Sequence, residues 1–270
     1  MSRVYKLALF GNPVCHSLSP HIHQSFASQY GLKVDYQLIK VAANELEKAV
    51  VDFFCCNGVG ANITLPYKSL IINNVSNISK IAEKAQAINT LYLNDKAEIC
   101  ADNTDGTGFI NDLNNRCGFN CQDKKILILG AGGATQGIVP AIMLQQPQSL
   151  TVANRTIEKA VAIACYSNAK GITLMQLKQL NSKFDLIIHA SSLGHHSQTL
   201  KFFDYQIHQN TICYDLSYAQ AAVPFMQYSI KLGVNKIYDG LGMLVEQAAC
   251  AFEIWFGLKP STKFILKNLS

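Results

Sequence analysis

The sequence predicts an α/β protein of two domains, each built on a mainly parallel sheet covered by helices. Three observations predict it. Short apolar runs alternate with amphipathic segments along nearly the whole chain. A glycine-rich turn stands near the middle, between an apolar run and a helix-like segment. The 270 residues, 49% hydrophobic and 15% charged, suffice for two ordinary cores and have a globular rather than a disordered composition.

The first domain opens on a strand at residues 5–11. Ser19 then reads as a helix N-cap with Pro20 in the first helical position, and the helix runs to about Tyr30. Residues 34–41 form a strand. Residues 44–54 form a helix with Glu45 and Glu47 in its first turn, and a short strand at 60–65 is ended by Pro66. The second domain begins near Asp105. A strand at 126–129 leads into Gly130-Ala131-Gly132-Gly133-Ala134-Thr135-Gln136-Gly137, and strands follow at 149–153, 185–190, 211–216 and 236–238. A long amphipathic helix from Met243 to about Phe256 is closed by Gly257. By pattern alone this helix either extends the second domain or crosses back to the first.

The glycine run is a variant of the dinucleotide fingerprint. Glycines allow a tight strand-to-helix turn and close approach of backbone N–H groups to a pyrophosphate, which the helix N-terminus also favours. Its position between a strand and a helix, with the next strand on schedule, makes the second domain Rossmann-like; Pro140 is expected to bend the helix. About 20 residues on, where NAD-binding versions place an acid for the ribose 2′-hydroxyl, stand Asn154-Arg155-Thr156 and then Lys159. At the strand end, where Asn154 stands, no carboxylate repels a 2′-phosphate. Arg155 can grip one in a planar fork, with the Thr156 hydroxyl and Lys159 adding contacts, so NADP is the expected cofactor.

Four strings in the first part are more polar than plain strand-to-helix junctions require. Gly11-Asn12-Pro13-Val14-Cys15-His16-Ser17-Leu18-Ser19-Pro20 sets two hydroxyls two residues apart, able to hold a carboxylate. Asn62-Ile63-Thr64-Leu65-Pro66-Tyr67-Lys68 carries a lysine past a strand end. Ala87-Ile88-Asn89-Thr90-Leu91 offers an amide in an apolar setting, and Asp102-Asn103-Thr104-Asp105-Gly106 a carboxylate at the domain junction. Singly, each also fits a capped helix or turn. Together, beside a nucleotide fold, they read as a polyol-acid site.

These strings, with Asp239-Gly240-Leu241-Gly242-Met243-Leu244-Val245-Glu246-Gln247-Ala248, resemble those of the shikimate dehydrogenase family, in family order from Gly11 to Gln247. The resemblance implies an NADP-dependent oxidoreductase that reduces 3-dehydroshikimate to shikimate, on the way to chorismate and the aromatic amino acids. It implies Lys68 as the catalytic residue, paired with Asp105. Ser17 and Ser19 would hold the substrate carboxylate, while Thr64, Asn89, Asp105, Tyr218 and Gln247 contact its hydroxyls and carboxylate. NADP would be lined by Gly130, Ala131, Gly132, Gly133 and Ala134, by residues 154–159, and by Leu216 and Gly240. The family also sends its C-terminal helix back onto the N-terminal domain. The expected division is thus a substrate-binding and catalytic domain at 1–104, completed by 240–270, and an NADP domain at 105–239.

This chain departs from the common family pattern at His189-Ala190-Ser191-Ser192 (for Asn-Ala-Thr-Ser), Leu216 (for Met), Val223 (for Thr) and Lys159 (for Arg). All four bear on the cofactor domain. His189 reads as a satisfied strand-end histidine, with a pH-sensitive element as the alternative.

Other classes fit less well. Basic residues are scattered, so the net charge of +5 makes no nucleic-acid patch and suits anionic small substrates instead. No apolar run nears the ~20 residues that span a bilayer, and the N-terminal stretch is too soon broken by glycine for a secretory signal, so a cytoplasmic location is expected. The nine cysteines are odd in number and lack paired knuckle spacing; reduced, mostly buried thiols are expected. His16, His21 and His23 cluster without further ligands, so no metal is expected. A monomer or homodimer acting on a small molecule, with no nucleic-acid or membrane partner, completes the expectation. The competing readings are a quinate/shikimate dehydrogenase using NAD, a non-catalytic ligand-binding homologue, and a redox switch at Cys55-Cys56.

Overall fold

The computed structural model describes residues 3–269, apart from the side chains of residues 166 and 195. The chain forms two compact units, Met1–Gly108 with Val245–Ser270, and Phe109–Leu244. Among the described residues no helix is long and apolar enough to cross a membrane.

In the first unit the chain runs β1 (Val4–Gly11), α1 (Ser19–Gln29), β2 (Lys33–Lys40), α2 (Leu46–Cys55), β3 (Gly58–Ile63), β4 (Asn77–Ile78), α3 (Lys80–Ala85), β5 (Thr90–Leu93), β6 (Ile99–Asp102) and the start of α4 (Asp105–Asn115). The sheet order is β2-β1-β3-β5-β6-β4. The first three strands are parallel, as the alternation of strand and helix predicts. The sequence does not announce the short hairpin β5–β6, and β5 runs antiparallel to both neighbours. Side chains alternate across a strand, and β1 is covered on both faces. Ala8 and Phe10 pack with Val50, Phe53 and Ile63, while Leu7 and Leu9 pack with Tyr36 and Trp255.

In the second unit β7 (Lys125–Leu129), α5 (Gly133–Leu144), β8 (Ser149–Asn154), α6 (Ile157–Ser167), β9 (Lys170–Thr173), α7 (Leu174–Gln179), β10 (Leu186–His189), β11 (Ile212–Asp215), α8 (Val223–Lys231) and β12 (Lys236–Tyr238) follow. The wholly parallel sheet has the order β12-β11-β10-β7-β8-β9. Numbered from its own first strand this is the 3-2-1-4-5-6 order of the doubly wound dinucleotide fold. Ile126 and Ile128 face one apolar layer, Leu127 and Leu129 the other. Burial on both faces is why these runs lack polar alternation. Helix α5 is continuous through Pro140.

Finally come α9 (Leu241–Phe256) and α10 (Lys263–Leu269). From Val245 onward they belong to the first unit, which answers the question the pattern left open. Phe252 packs edge-on against Phe26 at 5.8 Å, and Trp255 Nε1 donates to the Leu91 carbonyl at 3.0 Å.

Two expectations are corrected. Ser19 does not cap α1: Leu18 occupies the cap position, and the Ser17 hydroxyl accepts the Ser19 N–H at 3.2 Å instead. The cysteines are free but not mostly buried. Cys100, Cys117, Cys121 and Cys213 are buried, whereas Cys15, Cys55, Cys56 and Cys165 are exposed. Phe53 and Phe54 take the buried face at the end of α2 and leave Cys55 and Cys56 to solvent. Burial raises Cys117, Cys121 and Cys213 to about 12.

Candidate active site

Lys68 follows the turn after β3, where neighbouring bonds hold the backbone. Tyr67 OH donates to the Val41 carbonyl at 2.6 Å, and the Lys68 carbonyl accepts the Ile88 N–H at 2.7 Å. Asp105 opens α4, where the helix dipole favours a carboxylate. The Asn103 side chain accepts the Asp105 N–H at 2.9 Å, so Asn103 terminates the helix and leaves the Asp105 carboxylate for other partners. Lys68 Nζ donates to Asp105 Oδ2 at 2.6 Å, with side-chain exposures of 20% and 6%. A lysine held this way keeps one edge toward solvent while a buried carboxylate fixes its direction.

Asn89 Nδ2 donates to Asp105 Oδ1 at 2.8 Å, while Asn89 Oδ1 accepts the Thr104 N–H at 2.9 Å. Gln247 Oε1 lies 3.3 Å from Asn89 Nδ2 and 3.4 Å from the Thr104 hydroxyl. Lys68, Asn89, Asp105 and Gln247 thus form one polar cluster within the first unit. Ser17 Oγ donates to Ser19 Oγ at 3.1 Å. Behind this pair, Tyr36 OH donates to Asn62 Oδ1 at 2.8 Å, and Asn62 Nδ2 donates to the Asn89 carbonyl at 3.0 Å. Thr90 Oγ1 donates to Asn89 Oδ1 at 2.7 Å. Burial raises the Tyr36 phenol, with the Ser19 hydroxyl opposing. Tyr36, Asn62, Thr90 and Thr104 therefore connect the serine pair to the lysine–aspartate pair. Sequence reading missed this link, whose members lie as far as 28 residues apart in a single bond. Thr64 is half-buried beyond β3, its N–H donating to the Phe10 carbonyl at 2.9 Å.

His23 is fully buried, and neither ring nitrogen has a hydrogen-bond partner among the described residues. The ring stacks on Tyr36 at 4.9 Å. Burial pushes its pKa down to about 3, which the Asn62 amide beside it offsets only in part. Among the described residues no group of three or more His, Cys, Asp or Glu side chains could hold a metal.

In the second unit the expected cofactor residues lie where the strands end. Gly130 has φ +116°, a value side-chain-bearing residues rarely adopt, and an added Cβ would sit 2.7 Å from the Ala190 carbonyl oxygen. Added Cβ atoms at Gly132 and Gly133 would meet nothing within 4 Å, and α5 starts there without a side-chain cap. An open glycine cradle at the start of a 12-residue helix suits a pyrophosphate. Arg155, Thr156 and Lys159 are exposed past β8 and at the start of α6, with Asn154 half-buried beside them. Those residues fit a 2′-phosphorylated dinucleotide. Leu216 and Tyr218 are half-buried beyond β11, and Gly240 is buried beyond β12. Tyr218 therefore belongs to the second unit and the other expected substrate contacts to the first. Burial raises the Tyr218 phenol.

The sheet order and open glycine turn define a dinucleotide-binding α/β protein, joined in one chain to a unit with its own half-buried lysine–aspartate pair. The chain belongs to the shikimate dehydrogenase family. Family models match residues 9–91 (shikimate dehydrogenase substrate binding domain), 112–217 (shikimate / quinate 5-dehydrogenase) and 240–268 (shikimate 5′-dehydrogenase C-terminal domain). The shikimate dehydrogenase (NADP(+)) of Alcanivorax borkumensis is 40% identical over 264 residues, covering 97% of this chain and 95% of its own. Among solved structures, the Ael1 enzyme from Pseudomonas putida superposes with TM-score 0.90 at 30% identity, covering 98% of each chain. The Thermus thermophilus shikimate 5-dehydrogenase, solved with NADP(H) and shikimate, gives TM-score 0.86 at 26% identity, covering 97% of each.

Proposed function

We propose that this chain catalyses the reversible NADPH-dependent reduction of 3-dehydroshikimate to shikimate, the step that feeds chorismate and aromatic amino-acid synthesis. The observation that carries the reading is the Lys68–Asp105 pair at 2.6 Å, braced by Asn89, in a chain of this family. Ketone reduction needs a hydride at carbon and a proton or cation at the developing alkoxide. NADPH, when bound, supplies the hydride. Lys68 Nζ gives its proton to the carbonyl oxygen as the C–O double bond becomes single, and in the reverse direction takes it back. Asp105 orients the ammonium and favours its charged form beside the oxygen until the proton is transferred. Ser17 and Ser19 bind the substrate carboxylate. Thr64, Asn89, Tyr218 and Gln247 fix the ring through its hydroxyls, so that the reacting atoms meet in one orientation.

Residues 1–104 with 240–270 act as the substrate-binding and catalytic domain, and 105–239 as the NADP domain. Gly130–Ala134 would hold the pyrophosphate; Asn154, Arg155, Thr156 and Lys159 the 2′-phosphate; Leu216 and Gly240 a further part of the cofactor. The enzyme works in the cytoplasm on a small molecule, as a monomer or homodimer. Mixing the purified protein with shikimate and NADP should give reduced nicotinamide, read by its absorbance. No turnover at any substrate concentration, from protein that binds shikimate, would point to a ligand-binding homologue.

A further inference from the structure

His189, one of the departures from the family pattern, is fully buried at the end of β10. Its ring lies flat on Phe225, 4.9 Å between centroids and 13° between planes. Nδ1 lies 2.9 Å from Asp215 Oδ2 at the end of β11, and Nε2 lies 2.9 Å from Ser191 Oγ. The ionised carboxylate only accepts, so the ring proton sits on Nδ1, and Nε2 accepts both the Ser191 hydroxyl and the Leu200 N–H at 3.4 Å. A Ser–His–Asp array can activate a serine. Here Ser191 Oγ already accepts the Leu193 N–H at 3.4 Å, and Nε2 is shared with Leu200, so the array acts as a tie.

What it ties is specific. Asp215 Oδ1 accepts the Ser217 N–H at 2.8 Å, and the His189 carbonyl accepts the Leu216 N–H at 2.9 Å. Ser217 in turn accepts the Gly240 N–H at 2.8 Å through its carbonyl. An added Cβ on Gly240 would lie 2.2 Å from the Leu216 carbonyl oxygen, so the two backbones touch. The buried imidazole thus joins the 191–200 loop to Asp215, and Asp215 joins it through the Ser217 backbone to Gly240, while the His189 carbonyl holds Leu216.

In this strand order a dinucleotide crosses the switch between β7 and β10. Arg155 lies on the β8 side, which leaves the ends of β10, β11 and β12 for the other half. We propose that His189 is a positioning residue. Through its Nδ1-protonated tautomer and Asp215, it holds Leu216, Gly240 and the 191–200 loop as the seat of the nicotinamide half of the cofactor. The inference rests on the NADP reading above and adds which buried group shapes that end of the site.

Asp215→Asn tests it. The replacement keeps the volume and an oxygen for the Ser217 N–H but turns an N–H₂ donor toward Nδ1. The ring proton then moves to Nε2, where it opposes the Leu200 N–H. Calorimetry should show NADP binding weakened about tenfold, the scale of one misplaced polar contact. Adenosine 2′,5′-bisphosphate, which lacks the nicotinamide half, should bind within about twofold of wild type. Ring ¹⁵N shifts of His189 should report the tautomer change. Both ligands unchanged, or both weakened alike, overturns the proposal, the second because it marks general damage to the domain. Should Asp215→Asn not fold, Ser191→Ala decides by the same ligand pair, since it loosens only the loop end. Wild-type protein that binds neither ligand would overturn the NADP reading itself.

Discussion

Replacing Lys68 by Met and, separately, by Arg divides proton transfer from charge. Methionine removes both the donor and the cation 2.6 Å from Asp105 Oδ2. Loss of a general acid–base group lowers kcat by about 10²–10⁴, or ~2.7–5.5 kcal/mol of transition-state stabilisation. Stability falls for a different reason. Asp105 keeps the Asn89 donor at 2.8 Å but loses its counter-charge. Removing one partner from a fully buried pair costs ~3–5 kcal/mol. Lys68 is one-fifth exposed, so water recovers part of this and about 1–3 kcal/mol is expected. Arginine keeps the cation and most of that stability, yet its guanidinium does not deprotonate near neutral pH and cannot deliver a proton. The assays are initial rates in both directions and urea unfolding. Methionine should give a weakened fold and a kcat at least ~10²-fold down; arginine a near-native fold and a kcat still about tenfold or more down. A Met variant with half of wild-type kcat would remove Lys68 from the chemistry. An Arg variant within about threefold would reduce Lys68 to an electrostatic role.

Three further outcomes are expected. Changing Ser17 and Ser19 together to Ala should raise KM for shikimate tenfold or more, since each hydrogen bond to a carboxylate is worth ~1.5–3 kcal/mol. Ser17 also accepts the Ser19 N–H, so ~1 kcal/mol of stability should go with it, and an unchanged KM in folded protein would leave the serines a purely local role. Arg155→Ala should raise KM for NADP by about 10–100-fold and leave the NAD reaction almost untouched, with added salt weakening NADP binding more in wild type than in the variant. Equal salt sensitivity would count against a phosphate contact. His23 binds protons more readily unfolded (6.5) than folded (about 3), so stability falls with pH below 6.5 until the folded pKa is passed. Near pH 5 the loss is ~2 kcal/mol, and His23→Leu should abolish it in urea titrations at the two ends of that range; an unchanged pH dependence would mean that the ring is solvated.

The parallel cores are legible in the sequence because strands covered on both faces must be apolar throughout, as at Ile126–Ile128 and Leu186–Ile188. The glycine turn is legible because Gly130 has a backbone angle that side-chain-bearing residues rarely adopt. Strands β5 and β6 are not: each has four residues, and Thr90 and Asp102 at their paired ends are polar. Lys68 and Asp105 stand out locally, but Tyr36, Asn62 and Thr104 do not, since what connects them is sheet register rather than spacing. The cap at Ser19 was misread for a related reason. A hydroxyl before a proline fits a cap, but Ser19 is already the first helical residue and its hydroxyl accepts from Ser17 Oγ.

The central claim is most directly tested by kcat/KM over a two-by-two matrix of shikimate and quinate with NADP and NAD. With shikimate, the exposed Arg155 and the Asn154 that stands in place of an acid at the end of β8 predict NADP favoured over NAD by one to two orders of magnitude or more. With NADP, shikimate should be the better substrate. Equal kcat/KM for NAD and NADP would contradict the cofactor assignment and make an NAD-using quinate/shikimate dehydrogenase the better account.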